Sequence, residues 1–340
     1  MKLYEIVIKP VSFFGTPLKG DTIFGHFMWQ ILMDNSLVKK PIDELIDSYK
    51  HNPFVVFSSA YPKLYAKGKD NFFVKRPDLP LEFWQNNQNF SRVDTIKDRK
   101  KWRKKKYLKI GRDLKVICKK ENLYSEQNIA QMYAEEIKDM DLDIQKIEID
   151  FSRIRNKINR LTSTTGEGFA PYEVKQFAYL PFMEMSVFVL YDETAIDIDK
   201  IEIAFERIGQ MGFGKDASIG LGRFNLGDSD ELDLPDFSDC HALYTLSPCV
   251  PEKRYKKCFF QPFVRFGKHG SFFATSRNPF KNPVLMMDEG AVIIDEDKPK
   301  MPYIGKALTD LSKIEKRTVS QGYSIVLPLF FSLNGEFNHE

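Results

Sequence analysis

Residues 209–224 read GQMGFGKDASIGLGRF, with five glycines in the fourteen residues from Gly209 to Gly222. Glycine tolerates positive φ and lets a ligand approach the backbone closely. Successive N–H groups in such turns form anion-binding nests that suit phosphates. Lys215 and Arg223 can add charge-assisted hydrogen bonds, and Ser218 its hydroxyl. The flanks decide what kind of loop this is. Upstream, Ile201, Ala204, Phe205 and Ile208 fall on one stripe of a helix expected from Asp199 to Gln210. Downstream, Gly222–Leu226 (GRFNL) reads as a strand. The string GFGKDA superficially matches a dinucleotide-binding motif, but that motif follows a strand and opens a helix. Nor is this a Walker loop, because Asp216 follows Lys215. A capping glycine with a tight turn would explain Gly209 and Gly212 but not all five glycines. A phosphate-gripping loop is therefore expected.

Working outward, residues 2–9 alternate as a half-buried strand. A turn, GTPLKGD, covers Gly15 to Asp21, and Asp21 is expected to cap a helix carrying Phe24, Phe27, Met28 and Ile31. Strands are expected near Phe54–Ser59 and at Phe182–Tyr191 (FMEMSVFVLY). Strand–helix–strand, an insertion, then strand–helix–strand is the βαββαβ order of a ferredoxin-like, α+β domain over residues 1–228. Its insertion, about 61–145, shows no clear periodicity and is expected to lie outside the core. Within it, Lys97–Lys120 holds thirteen Lys or Arg against Asp98 and Asp113, with Trp102 and Tyr107 among them. That run is either a solvated face or an RNA contact. After a short strand at Ile147–Phe151, residues 152–176 carry Arg153, Arg155, Lys157 and Arg160 and read as a protruding hairpin.

The acidic, turn-rich stretch 227–239 marks a domain boundary. Beyond it, His241–Ser247, Cys258–Phe266, Val284–Met287, Ala291–Ile294 and Tyr323–Phe331 are β-rich, with a helical piece expected near Lys306–Ile314. Residues 240–340 are thus expected to form a second, degraded ferredoxin-like domain.

Composition narrows the function classes. With 43% apolar and 29% charged residues the chain is globular, and no run approaches the ~20 apolar residues of a membrane span. The start, MKLYEIVIKP, lacks a signal-peptide core, so a cytoplasmic protein is expected. Cys118, Cys240, Cys249 and Cys258 form no C-x-x-C pair and are expected as reduced thiols. His51, His241, His269 and His339 are scattered without metal-ligand spacing, so neither metal nor cofactor is expected. His269 sits in RFGKHG, where Arg265, Gly267 and Lys268 form either a second basic loop or a solvated hairpin tip. Phe213 is the aromatic expected to stack on a base, its rival role being packing against the preceding helix.

Four segments, TPLKGDTIFGHFMWQ (16–30), KINRLTSTTGEG (157–168), GFGKDASIGLGRF (212–224) and RFGKHGSFFATSRNPFKNPVLMMDEGAVI (265–293), together resemble the RAMP superfamily of CRISPR-associated RNA-binding proteins. Within it, the likeness is to the fourth-subunit family of type III-A Csm effector complexes. The resemblance implies two ferredoxin-like (RRM-like) domains, the first with a protruding thumb hairpin. It implies a subunit that holds the 5′ repeat-derived handle of the crRNA in antiviral defence. Its partners would be a large polymerase-like subunit and a RAMP backbone subunit. Residues expected at the RNA are then Lys19, Gly20, His26, Arg153, Arg155, Lys157, Arg160, Gly212, Phe213, Gly214, Lys215, Ser218, Gly220, Arg223, Arg265 and Lys268. Related RAMP nucleases use a histidine near the first helix, so the alternative is a metal-independent endoribonuclease using His26 with Asp21, Lys19 or Lys215. Because the resemblance is to a non-cleaving subunit, no catalytic residue is expected. The lysine-rich segment matches no family motif.

Overall fold

A computed structural model describes residues 1–80, 100–136, 145–166, 168, 170–253, 255–295 and 301–331. The alternating N-terminal segment forms β1 (Lys2–Pro10), and a helix, Gly20–Met33, follows the predicted turn. Its cap differs from expectation. Lys19 occupies the N-cap without a side-chain bond, and Asp21 lies in the first turn, where its charge suits the helix dipole. Next come β2 (Val55–Ala66), β3 (Lys69–Lys75), β4 (Tyr107–Ile110), β5 (Val116–Cys118) and β6 (Leu123–Tyr124). The hairpin strands β7 (Glu148–Arg155) and β8 (Tyr172–Tyr179) precede β9 (Glu184–Tyr191), and helix Ile198–Met211 leads to β10 (Phe224–Leu226) and β11 (Asp230–Leu232).

The first sheet runs β10-β1-β9-β2-β3-β4-β6, with β11 also on β1 and every pairing antiparallel. Taking β1, β2, β9 and β10 as strands one to four, the order 4-1-3-2 is that of a ferredoxin-like domain. The expected helical stripe is correct: Ile201, Ala204, Phe205 and Ile208 are all buried.

The insertion corrects the sequence reading. Its strands β3, β4 and β6 extend the same sheet, and Phe72, Phe73, Val74 and Leu108 are completely buried in the main core. Trp102, read as an aromatic face among lysines, is 6% exposed. The acidic linker also begins inside the first domain, since Leu232 pairs with Leu3.

The second half contains β12 (Ala242–Thr245), β13 (Lys257–Phe259), β14 (Pro262–Arg265), β15 (Val284–Met287), β16 (Val292–Ile294), β17 (Tyr303–Gly305) and β18 (Tyr323–Phe331). Its main sheet runs β13-β16-β12-β18-β17, so β18-β12-β16-β13 repeats the 4-1-3-2 order. Among the described residues neither crossover contains an α-helix, and the helix expected at 306–314 is a turn-rich loop bridged from Leu308 to Ser320. The short strand Tyr303–Gly305 ends just before this loop.

The halves are joined through their backbones. β5 leaves the insertion to pair in parallel with β18, Leu329 opposite Val116. Where β2 bulges between Phe57 and Ala60, the Gln321 side chain accepts from Phe57 N–H at 2.9 Å and donates to Phe57 C=O at 2.7 Å. This satisfies a buried peptide that the bulge would otherwise leave unpaired. One hydrophobic core accordingly spans both sheets, from Phe27 and Phe57 to Leu246, Ile325 and Leu327. None of the four cysteines forms a disulfide among the described residues, and Cys240 and Cys249 are buried.

Candidate nucleic-acid interface

The helix Ile198–Met211 ends at Gly212, whose φ of 96° reverses the chain and whose N–H bonds to Ile208 C=O at 2.8 Å. The loop then folds onto the turn after β1. Phe213 N–H donates to Gly222 C=O, Gly222 N–H to Phe13 C=O, Lys215 N–H to Thr16 Oγ1 and Arg223 N–H to Ser12 Oγ. Gly222 has φ 74°, and a Cβ there would lie 2.1 Å from Phe213 O, so no other residue fits without moving the backbone. A Cβ on Gly209 would meet Phe224 O at 2.2 Å.

Most of the predicted nest is therefore used internally. Gly212 and Gly214 spend their N–H groups within the protein, whereas those of Asp216, Ala217 and Ser218 have no acceptor among the described residues. Asp216 is left-handed (φ 65°), and Gly220 (φ 94°) has open space where a Cβ would stand. The glycines mainly permit close backbone approach, and only the outer tip of the loop faces solvent.

Several expected RNA contacts are corrected by their partners. Phe213 is 1% exposed and lies on His26, ring centroids 4.6 Å apart, so packing replaces base stacking. His26 Nε2 accepts the Gly214 N–H at 3.0 Å. Burial pushes the His26 pKa down to about 4, which fixes a neutral ring whose acceptor nitrogen is occupied. Two of its supposed companions, Lys19 and Asp21, are engaged as well. Lys19 Nζ lies 2.5 Å from Asp288 Oδ1 and 2.7 Å from both Glu289 carboxylate oxygens. Asp21 is held bidentately by Arg265, at 2.5 and 2.7 Å. Gly20 is buried, and its missing Cβ leaves room for Phe57 O. His269 is likewise buried, with Nε2 2.8 Å from Ser312 Oγ, so RFGKHG is not a solvated tip, although Lys268 is exposed.

The hairpin expected at 152–176 runs from Glu148 to Tyr179. Paired backbone bonds between Phe14 and Phe177 fasten its base to the turn after β1, and Phe13 stacks on Phe151 at 5.4 Å. Arg155 reaches Asp216 in the glycine loop at 2.9 Å. Arg155 Nη2 and Gln176 Nε2, both on the thumb, are buried donors without a protein acceptor among the described residues. On the hairpin and loop that meet at this junction, Arg153, Lys157, Arg160, Lys215, Ser218 and Arg223 are exposed. At the thumb's outer end Leu161 is 96% exposed.

This arrangement matches solved structures along almost the whole chain. A Csm1–Csm4 cassette in complex with pppApA contains a chain similar at 15% identity and TM-score 0.54, covering 98% of this chain and 100% of that one. The cassette with AMPPNP gives 16% identity and TM-score 0.53, over 97% and 99% of the two chains. The Csm3–Csm4 subcomplex of a type III-A CRISPR-Cas interference complex gives 14% identity and TM-score 0.53, over 96% and 99%. The chain has the fold of the matched chains in these Csm1–Csm4 and Csm3–Csm4 assemblies. No protein-family model and no curated protein sequence matches it.

Against that fold, two signals missed by sequence reading stand out. Gln176 carried no local cue, since its burial depends on the hairpin docking against the body. Asp216 counted in the sequence only as the residue that excludes a Walker loop; in the structure it is the anchor that brings Arg155 to the loop. No helix among the described residues is long and apolar enough to cross a membrane.

Proposed function

We propose that this chain is a non-catalytic RNA-binding scaffold subunit of a type III-A CRISPR-Cas interference complex. It holds the 5′ repeat-derived handle of the crRNA and joins a large polymerase-like subunit to the RAMP backbone. One observation carries this reading. Arg155 and Asp216 link the thumb to the glycine loop, while Arg155 Nη2 and Gln176 Nε2 remain as buried donors awaiting an acceptor. A phosphate or a base edge supplies such acceptors. Arg153, Lys157 and Arg160 on the hairpin and Lys215 and Arg223 on the loop add exposed positive charge, and Ser218 offers a hydroxyl. Contacts of this kind position a strand more than they read its sequence. Likeness to Csm4, solved with Csm1 and with Csm3, supports the partner classes. The exposed side chains Val264, Phe266, Phe272, Phe280 and Leu285, on and around the β14–β15 hairpin, suit a protein partner.

The test is RNA binding by a triple variant, Arg153→Gln, Lys215→Gln and Arg223→Gln. Affinity for handle RNA is expected to fall at least ~10-fold at 100 mM salt, with the salt slope shallower by about 2. A wild-type affinity and slope for the triple variant would refute the proposed site.

A further inference from the structure

The basic run that the proposed function leaves unused has a definite structure around Trp102. Residues 100–104 are helical, with Lys100, Lys101, Arg103 and Lys104 exposed while Trp102 enters the core. The turn is pinned from both sides: Arg76 Nη1 donates to Trp102 C=O at 2.8 Å, and Arg76 N–H donates to Lys106 C=O at 2.7 Å. Lys105 and Lys120 cover the Trp102 ring, their Nζ atoms 5.3 and 5.2 Å from its centroid. Lys119 and Lys120 are thereby brought beside the turn, so cations distant in sequence form one patch. Lys100, Lys101, Arg103 and Lys104 have no carboxylate partner among the described residues, whereas Lys106 pairs with Glu126, Lys119 with Glu121 at 4.0 Å, and Arg112 with Asp70 and Asp230. The whole chain carries only +3, so this is a local concentration of charge rather than general basicity.

The patch is distant from the glycine loop. The path β10-β1-β9-β2-β3-β4 crosses five strand spacings, so β4 stands about 24 Å from β10. No large apolar side chain between residues 66 and 148 is exposed among the described residues. Protein interfaces are centred on apolar and aromatic anchors and are depleted in lysine, so this face offers a protein little to hold. A mounted group of cations, four of them without a carboxylate partner among the described residues, fits a polyanion of regularly spaced phosphates.

We propose that Lys100, Lys101, Arg103 and Lys104, with Lys119 and Lys120, form a second nucleic-acid surface that binds a single strand through its phosphates, independently of the glycine loop and thumb. The experiment uses the full-length protein, a handle-free oligouridine, handle RNA and a polyglutamate peptide. In the variant Lys100→Gln, Lys101→Gln, Arg103→Gln and Lys104→Gln, oligouridine affinity is expected to fall at least ~10-fold at 100 mM salt. Its salt slope should become shallower by about 2 to 3, from ~0.7 per phosphate contact on a single strand. An unchanged melting temperature confirms that the fold is intact. The pair Lys215→Gln and Arg223→Gln is expected to keep oligouridine binding, and handle-RNA binding in that pair reads the glycine loop separately. The proposal is overturned if wild-type protein does not bind oligouridine or if the quadruple variant binds it unchanged. It is also overturned if only polyglutamate binding is lost, or if the loop pair alone abolishes oligouridine binding.

Discussion

Replacing Lys19 with methionine should destabilise the protein by about 3 kcal/mol, the usual cost of removing one partner from a buried ion pair. The Lys19, Asp288 and Glu289 side chains are only 15%, 19% and 16% exposed. Burial and the neighbouring Asp288 raise the Glu289 pKa against the pull of Lys19. For Asp288 burial also opposes ionisation, but Lys19 and Lys75 outweigh it and leave its pKa below the ordinary value. Without Lys19, two adjacent carboxylates would share Lys75, which is 3.5 Å from Asp288 Oδ2. The start of helix Gly20–Met33 would also lose its tie to the β15–β16 turn. Adding Glu289→Gln to Lys19→Met should recover much of the loss, because the uncompensated charge is then gone. Urea unfolding of the single and double variants measures both effects. A loss under 1 kcal/mol, or no recovery, would mean the clasp contributes little to holding the halves together.

Acid should weaken the fold through His26. Its pKa is about 4 in the folded chain against 6.5 ordinarily, a difference corresponding to about 3 kcal/mol. Above pH 6.5 both states are neutral at this site and its contribution to stability is fully present. Between 6.5 and 4 the unfolded chain binds the proton first, so stability declines as pH falls. By pH 5 about 2 kcal/mol should be gone. Below 4 both states are protonated and the decline from this site ends. His26→Gln cannot titrate, so wild type should lose about 2 kcal/mol more than this variant between pH 7 and 5. Equal losses would remove His26 from the account. The same two proteins, incubated with repeat RNA in EDTA, should both leave it intact. Cleavage by wild type that disappears in His26→Gln would establish the endoribonuclease alternative.

Elements with a clean period were legible from residues alone. The β1 alternation and the Ile201, Ala204, Phe205, Ile208 stripe each had one dominant signal, and the βαββαβ order follows from them. The insertion was not legible for a physical reason. In β4, Tyr107 and Lys109 alternate with buried Leu108 and Ile110, yet the lysines on either side make the segment look like a charged tract. Long lysine stems lie along a half-buried surface with their charge in water, which conceals a strand inside a basic run. The glycine loop was located correctly, but the use of its glycines was misjudged. Density of glycine signals close approach; it does not reveal whether a ligand or another stretch of backbone approaches. At Gly209 and Gly222 the neighbour is Phe224 or Phe213. The Lys19–Asp288 and Asp21–Arg265 pairs had no local signature, since their partners are over 240 residues apart.

Photo-crosslinking of a handle RNA carrying 4-thiouridine to the full-length protein, with the adducts mapped by mass spectrometry, tests the central claim most directly. Adducts are expected on the thumb between residues 153 and 166 and on the loop between Lys215 and Arg223, and they should be lost on competition with unlabelled handle RNA. Handle adducts confined to residues 100–120, or absent from both thumb and loop, would contradict it.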